Sequence, residues 1–445
     1  MVRPGRRIPA TAGDGASLVG GRRLDYAWVV FAVSFVTLVA AAGFRSTPGI
    51  LVDPLRNEFG WGRAEVGTAV SINVLLFGLM GPFAAALMGR FGLKRVVVWA
   101  LCAISVGAAL TTQMTQLWQL YLLWGVVVGL GSGCMATVFA STVASRWFVA
   151  RRGIVTGALT AATASGQLVF LPLLSSLAEH HGWRWVGITI AVSAVSVVPL
   201  VILFLRDSPE SMGLRPYGAP DDFAPAEPVA HPITAAFEGL RGAWTAGGFW
   251  LLVGSFFVCG LSTNGLIQTH FLSAASDHGI SETSAAGLLA TIGVFDVIGT
   301  VGSGWLTDRV DPRRLLVFYY SLRGLSLLLL NQALGPHNVG LLGFMVFYGL
   351  DWVATVPPTV ALCNELFGRV RAPIVYGWVF AGHQMGAALA AWGAGELRDV
   401  TGSYQLAFVL AGAACLVAAI GVLRIPGAED ELRVGPLVSV EASAA

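Results

Sequence analysis

Charge is what this chain has least of. Asp, Glu, Lys and Arg together make up 12% of its 445 residues, against about 25% in a soluble domain. A chain this poor in charge would expose large apolar patches in water, so an ordinary soluble enzyme or regulator is excluded. The net charge is only +2 and no basic tract interleaves with aromatics, which excludes a nucleic-acid partner. The five cysteines (Cys102, Cys134, Cys259, Cys363 and Cys415) form no close pair. That excludes a disulfide framework and a metal site, and each reads as a small packing residue. No phosphate-binding Gly-Lys-Ser loop occurs, which excludes ATP-driven transport within this chain. No cofactor is implied. Residues 1–25 are rich in Arg and Gly, and no small-residue cleavage site follows the first apolar run, so the segment starting near Tyr26 is expected to stay in the protein.

What the chain has in abundance is apolar surface. Hydrophobic residues reach 55% and mean hydropathy is +0.72. Lipid is the solvent that suits such a polymer. Fifty-five glycines fit the same reading, because small residues let membrane helices approach closely. A bilayer core about 30 Å thick needs roughly 20 apolar residues per helix. The apolar runs predict twelve spans, at residues 26–47, 66–88, 95–113, 117–143, 153–177, 184–205, 247–271, 284–306, 314–334, 338–363, 372–395 and 403–424. Those starting at 95 and 314 are the weakest.

Lys and Arg alternate between the connecting segments. One set of loops and tails holds 21 of the 27 basic residues, including Arg90, Lys94, Arg146, Arg152, Arg309 and Arg369. The other set holds four: Arg56, Arg63, Arg184 and Arg398. Basic loops stay cytoplasmic, so an even number of spans with both termini cytoplasmic is expected. The organisation follows: a tail over 1–25, a six-helix half over 26–205, a Pro-rich linker over 206–246 with a short interfacial helix near 232–242, a second six-helix half over 247–424, and a tail over 425–445.

The halves echo each other at an offset of 219. Ala85-x-x-x-Gly89-Arg90-Phe91-Gly92-Leu93-Lys94-Arg95 closes the second span, and Gly304-x-x-x-Asp308-Arg309-Val310-Asp311-Pro312-Arg313-Arg314 closes the eighth. Six spans repeated in one orientation form a parallel repeat about the membrane normal. On these residues the chain resembles the major facilitator superfamily, whose loop after spans two and eight reads Gly-x-x-x-Asp-Arg-x-Gly-Arg-Arg. The resemblance runs from Leu24 to about Arg424. It implies an all-α membrane fold of about twelve helices in two pseudo-symmetric halves. It also implies a conformational clamp at Arg90, Asp308 and Arg309, with the acid missing at Gly89. Gly43-Phe44-Arg45-Ser46, the Arg146-Trp147-Phe148-x-x-Arg151-Arg152-Gly153 run and Phe295-Asp296 make it most similar to the monocarboxylate-transporter and oxalate/formate-antiporter branch.

Four ionisable residues fall within spans: Arg45, Asp296, Arg323 and Asp351. Each costs roughly 2.5–3.5 kcal/mol at a helix centre on insertion scales, so each should face the bundle interior or water beside a partner. A guanidinium grips a carboxylate in a bidentate fork, and in the resembling branch a cation at the place of Arg45 engages an anionic substrate. A mid-span carboxylate has its pKa raised by desolvation and lowered by a nearby cation, which fits Asp296 as a proton carrier. In the branch an Arg follows it one turn later; here that residue is Thr300. Arg323 and Asp351 suit a buried ion pair, either structural or a relay. Asn73, Asn264, Gln268 and His383 are the uncharged polar candidates for substrate contact. Gly125, Gly129 and Gly133 form a packing face, as do Gly153, Gly157 and Gly166. Pro357-Pro358 marks a bend.

Together these features predict a secondary active transporter working by alternating access in a bacterial cytoplasmic (inner) membrane. Its partners would be lipid, a small monocarboxylate-like organic anion, and a proton or counter-anion. The rivals are a proton-antiport efflux carrier for drugs or metabolites and a sensor that keeps the fold without transporting; the short tails speak against the sensor. No nucleophile–base arrangement supports an enzyme.

Overall fold

The computed structural model describes residues 17–19, 22–43, 48–220, 231–334 and 340–427. Apart from a short hairpin pairing Ser17–Val19 with Arg22–Leu24, the described chain is helical. Its apolar runs become helices because only an internally hydrogen-bonded backbone is stable in hydrocarbon. Passes one to six are Tyr26–Ala41, Glu65–Phe91, Leu93–Thr111, Leu117–Trp147, Arg152–His181 and Trp183–Phe204. Passes seven to nine are Gly247–Asp277, Glu282–Thr307 and Pro312–Ala333. Leu341–Thr401 is one apolar stretch holding passes ten and eleven, which separate at Gly368, where φ is 71° and ψ 159°. Gln405–Val422 is the twelfth. Both of the weakest expected spans are therefore helices. A further helix, Pro48–Phe59, lies between passes one and two.

The repeat is visible in how the passes pack. Within the first half pass one packs on five, two on four, and three on both six and four; in the second, seven packs on eleven, eight on ten and nine on twelve. The halves meet through passes five and eight and through passes two and eleven, pairs that a two-fold rotation exchanges. Glycine makes these contacts possible. A Cβ on Gly157 would lie 2.5 Å from the carbonyl oxygen of Thr300, and one on Gly304 would lie 2.5 Å from that of Gly153. Gly125, Gly129 and Gly133 seat pass four against Ile72, Asn73 and Met80 of pass two, and Gly166 sits against Val39 and Ala42 of pass one. Both glycine series are packing faces, as expected.

At the end of the bundle that carries Arg90, Arg146 and Arg309, the halves are locked together. Ser145 Oγ donates to Asn364 Oδ1 at 3.1 Å, and Arg369 donates to the carbonyl oxygen of Ser145 at 2.7 and 3.1 Å. The linker forms the helix Pro232–Trp244, which packs on passes two and eleven at this same basic end. Trp378 Nε1 donates to the Ala236 carbonyl at 2.9 Å, and Phe83 meets Phe237 and Trp378 edge-on in an aromatic cluster.

Several helices expected to be continuous are not regular. Passes four and seven carry π-helical segments at Tyr121–Val128 and Leu261–Ile267. Pass ten stops at Asp351, turns over residues 352–355, and resumes at Val356 immediately before Pro357-Pro358. The prolines therefore mark a full break, not only a bend.

Candidate substrate cavity

A cavity of about 440 Å³ lies between the halves. Passes four, five, seven, eight, ten and eleven contribute its walls. Its basic end is stopped by packed side chains, where Tyr376 Oη donates to Thr137 Oγ1 at 3.1 Å. From there the lining continues past Thr160, Thr263 and Asp296 at mid-depth to Pro172, Leu272 and Leu289 near the opposite end.

The break in pass ten organises the charges. A broken helix in lipid leaves peptide groups unpaired at several kcal/mol each, so neighbouring helices must supply partners. Asp296 on pass eight accepts from the Val353 N–H at 3.1 Å, and Ser303 Oγ, two turns further on, donates to the Ala354 carbonyl at 2.5 Å. Arg323 on pass nine donates through Nη2 to the carbonyls of Asp351 (2.6 Å) and Trp352 (3.2 Å). Three polar side chains from two adjacent helices thus serve four peptide groups at the break. This accounts for polar atoms that hydropathy alone would count as pure expense.

Arg323 also pairs with the Asp351 carboxylate, Nε to Oδ2 at 2.6 Å, with both side chains almost fully buried. Asp351 Oδ1 has no hydrogen-bond partner among the described residues. The pair sits behind the cavity wall, with Cys259 between it and the cavity. Arg323 Nη1 donates to Cys259 Sγ at 3.0 Å, and Thr355 Oγ1 lies 3.2 Å from the same sulfur. Cys259 is therefore no mere packing residue: it lines the cavity and carries a guanidinium contact. A composition-level reading missed it because thiols are usually inert filler. The available signal was its place one turn before Thr263 on a helix expected to line the cavity.

The expected site residues separate into groups. Asp296, Asn264, Gln268 and His383 line the cavity. Thr300 Oγ1 donates to Asp296 Oδ1 at 2.8 Å, so the threonine standing where the branch has arginine supplies a hydrogen bond. His383 stacks on Phe380 and meets Gln384 Oε1 through Nδ1 at 3.1 Å. Asn73 is not brought to the cavity: its Nδ2 donates to the Trp124 carbonyl at 2.8 Å and ties pass two to pass four. Arg45 lies outside the described residues. The sequence reading also overlooked Thr160, Thr163 and Thr355, which add hydroxyls to the wall.

At the basic end, Asp308 caps pass five. Its Oδ1 accepts from the Gly153 N–H at 2.6 Å and its Oδ2 from the Ile154 N–H at 3.0 Å. A carboxylate at a helix N-terminus satisfies orphan donors and complements the dipole. Arg309 turns back on Trp305, 4.0 Å above the ring, and Arg90 is exposed. The asymmetry of the repeat has a local reason. Position 154 corresponds at the 219 offset to Pro373 on pass eleven, which has no N–H to offer. A carboxylate in place of Gly89 would meet fewer donors.

The family model described as Major Facilitator Superfamily matches residues 33–352 and 255–436. The chain belongs to that superfamily. Among its relatives, the uncharacterized MFS-type transporter YcxA of Bacillus subtilis (strain 168) is 25% identical over 395 residues, covering 85% of this chain and 90% of that protein. Monocarboxylate transporter 13 of Bos taurus is 29% identical over 402 residues, covering 89% and 88%. The proton:xylose symporter XylE superposes with a TM-score of 0.68 at 14% identity, over 90% of this chain and 96% of that one. The human organic anion transporter MFSD10 gives a TM-score of 0.69 at 16% identity, over 90% and 100%. These likenesses establish an integral membrane protein of the major facilitator fold. In it, the twelve passes form two six-helix halves about a central cavity.

Proposed function

We propose that this chain is a secondary active transporter of organic anions, most simply monocarboxylates, driven by proton symport or anion exchange through alternating access. The observation that carries the reading is a cavity at mid-depth between the two halves, closed at the basic end and lined by Asp296 and His383. Relatives named monocarboxylate transporters support the cargo class. With the basic loops cytoplasmic, as the charge rule requires, both termini are cytoplasmic. In that orientation the closed end of the cavity faces the cytoplasm, across a bacterial inner membrane. Asp296 carries the coupling proton. When ionised it accepts the Thr300 hydroxyl and the Val353 N–H; protonation weakens its hold on the break in pass ten and so links the proton to the shape of that helix. Arg45 captures the entering carboxylate, which passes on to the level of Asp296 and His383, and the cap at Asp308 steadies the state closed at the basic end.

The test is uptake of labelled monocarboxylates into proteoliposomes, with and without an inward proton gradient. The expected result is accumulation that the gradient drives. Asp296→Asn should keep exchange of internal for external anion while losing gradient-driven accumulation, and Arg45→Gln should abolish both. Export of a cationic dye with no carboxylate flux would replace this reading with proton-antiport efflux.

A further inference from the structure

The cavity has two chemical levels, and three helices independently place them in the same order. Pass five runs away from the basic end and presents Thr160 and Thr163 before Leu168, Leu171 and Pro172. Pass seven runs the same way and presents Cys259 and Thr263 before Leu272, with Asn264 and Gln268 between. Pass eight runs oppositely, and there Leu289 precedes Asp296. Apart from Gln268, one turn short of Leu272 on pass seven, the groups that titrate or donate hydrogen bonds are thus gathered at mid-depth among the described residues, while the level toward the opposite end is walled mostly by leucine and proline. Phe256, Phe380 and Trp352 extend the apolar surface beside the polar level.

Size points the same way. A volume of about 440 Å³ falls within the roughly 300–1,000 Å³ of pockets that enclose drug-sized ligands. A three-carbon acid with its carboxylate at the polar level would touch little of the leucine-lined level and leave water against it. Apolar walls gain from apolar contact, not from trapped water.

We infer that the cargo is an amphiphilic monocarboxylate, its head at the level of Asp296 and His383 and an apolar body of about six carbons or more, branched, cyclic or aromatic, against passes five, seven and eight. This rests on the anion reading above and narrows it. Lactate-sized acids are then poor ligands, and selectivity is set by the residues of the apolar level. Leu171 and Leu289 contact the body and act as specificity determinants.

The experiment measures the shift in unfolding midpoint of the full-length protein in nanodiscs. The titrants are the straight-chain acids from acetate to octanoate, lactate, phenylacetate and cyclohexanecarboxylate, with hexanamide and hexylamine as head-group controls. Apparent affinity should rise by up to about fourfold per methylene until the body fills the apolar level, and the ring acids should bind at least tenfold more tightly than lactate. Leu171→Trp fills that level from a half-exposed position and should cut the hexanoate-to-propionate affinity ratio at least tenfold. Leu289→Trp provides the same reading from pass eight if the first variant folds poorly. Lactate or propionate binding as tightly as hexanoate would overturn the inference and leave the anion reading standing. A chain-length gain that neither variant reduces reflects partition into lipid and would also overturn it. Hexylamine or hexanamide binding as well as hexanoate would instead sink the anion reading itself.

Discussion

Replacing Arg323 by alanine removes more than half of an ion pair. The guanidinium bonds to Asp351 Oδ2, to the carbonyls of Asp351 and Trp352, and to Cys259 Sγ. Breaking a buried pair from one side costs about 3–5 kcal/mol because a charge is left uncompensated. The upper part of that range is expected here, since Asp351 Oδ1 already lacks a hydrogen-bond partner among the described residues. The double variant Arg323→Ala with Asp351→Ala removes the stranded carboxylate and should recover most of the loss. It should not recover all of it, because the two carbonyls at the break remain buried and unserved. A buried acceptor left unpaired costs about 1–3 kcal/mol. Unfolding free energies from titration of the detergent-solubilised protein with sodium dodecyl sulfate would measure all three forms. The ordering expected is wild type, then the double variant, then the single. A double variant within about 0.5 kcal/mol of wild type would show that the break does not depend on Arg323, and the argument from peptide-group satisfaction would be wrong.

Two further outcomes follow from contacts at either end of the bundle. Gly157→Ala places a methyl 2.5 Å from the Thr300 carbonyl across the interface between halves. Overpacking of about 1–3 kcal/mol should shift the equilibrium some 5–150-fold toward the state open at the basic end. Electron–electron resonance distances between spin labels on the basic ends of passes five and eight should lengthen, and an unchanged distribution would refute the steric argument. At the opposite end, Glu58 accepts from Arg184 at 2.6 and 3.0 Å and from Trp183 Nε1 at 2.6 Å, which holds its carboxyl below the usual carboxylate range. Its contribution is present above the ordinary pKa of about 4.3 and is lost as pH falls through the lowered folded value. The pair is partly exposed and worth only about 0.2–1 kcal/mol. The stability gap between wild type and Glu58→Gln should therefore be small at pH 7 and close on acidification; a gap that stays constant down to pH 3 would refute the linkage.

The limits of the sequence reading have a physical origin. Hydropathy reports the cost of moving each side chain into lipid, so it located the passes, and the 219-residue echo paired them. It also flagged Asp296, Arg323 and Asp351 as expensive, and all three are buried against the break in pass ten. What it could not price is the backbone. The demand that explains those charges comes from peptide groups at 351–354, and their partners lie on helices 28 to 57 residues away in sequence. Pro357-Pro358 pointed to the place but not to the partners. Asn73 shows the converse error. An amide mid-span on a helix expected to face the cavity looks like a ligand, yet pass four carries a π-helical segment from Tyr121 to Val128, and the Trp124 carbonyl within it takes the Asn73 amide. In both cases irregular backbone consumed the polar side chain. A polar residue inside a span should therefore first be weighed against the nearest helix irregularity, and only a surplus beyond that need reads as substrate chemistry. Asp296 is the residue to weigh by that standard, since it serves the break through the Val353 N–H and also lines the cavity.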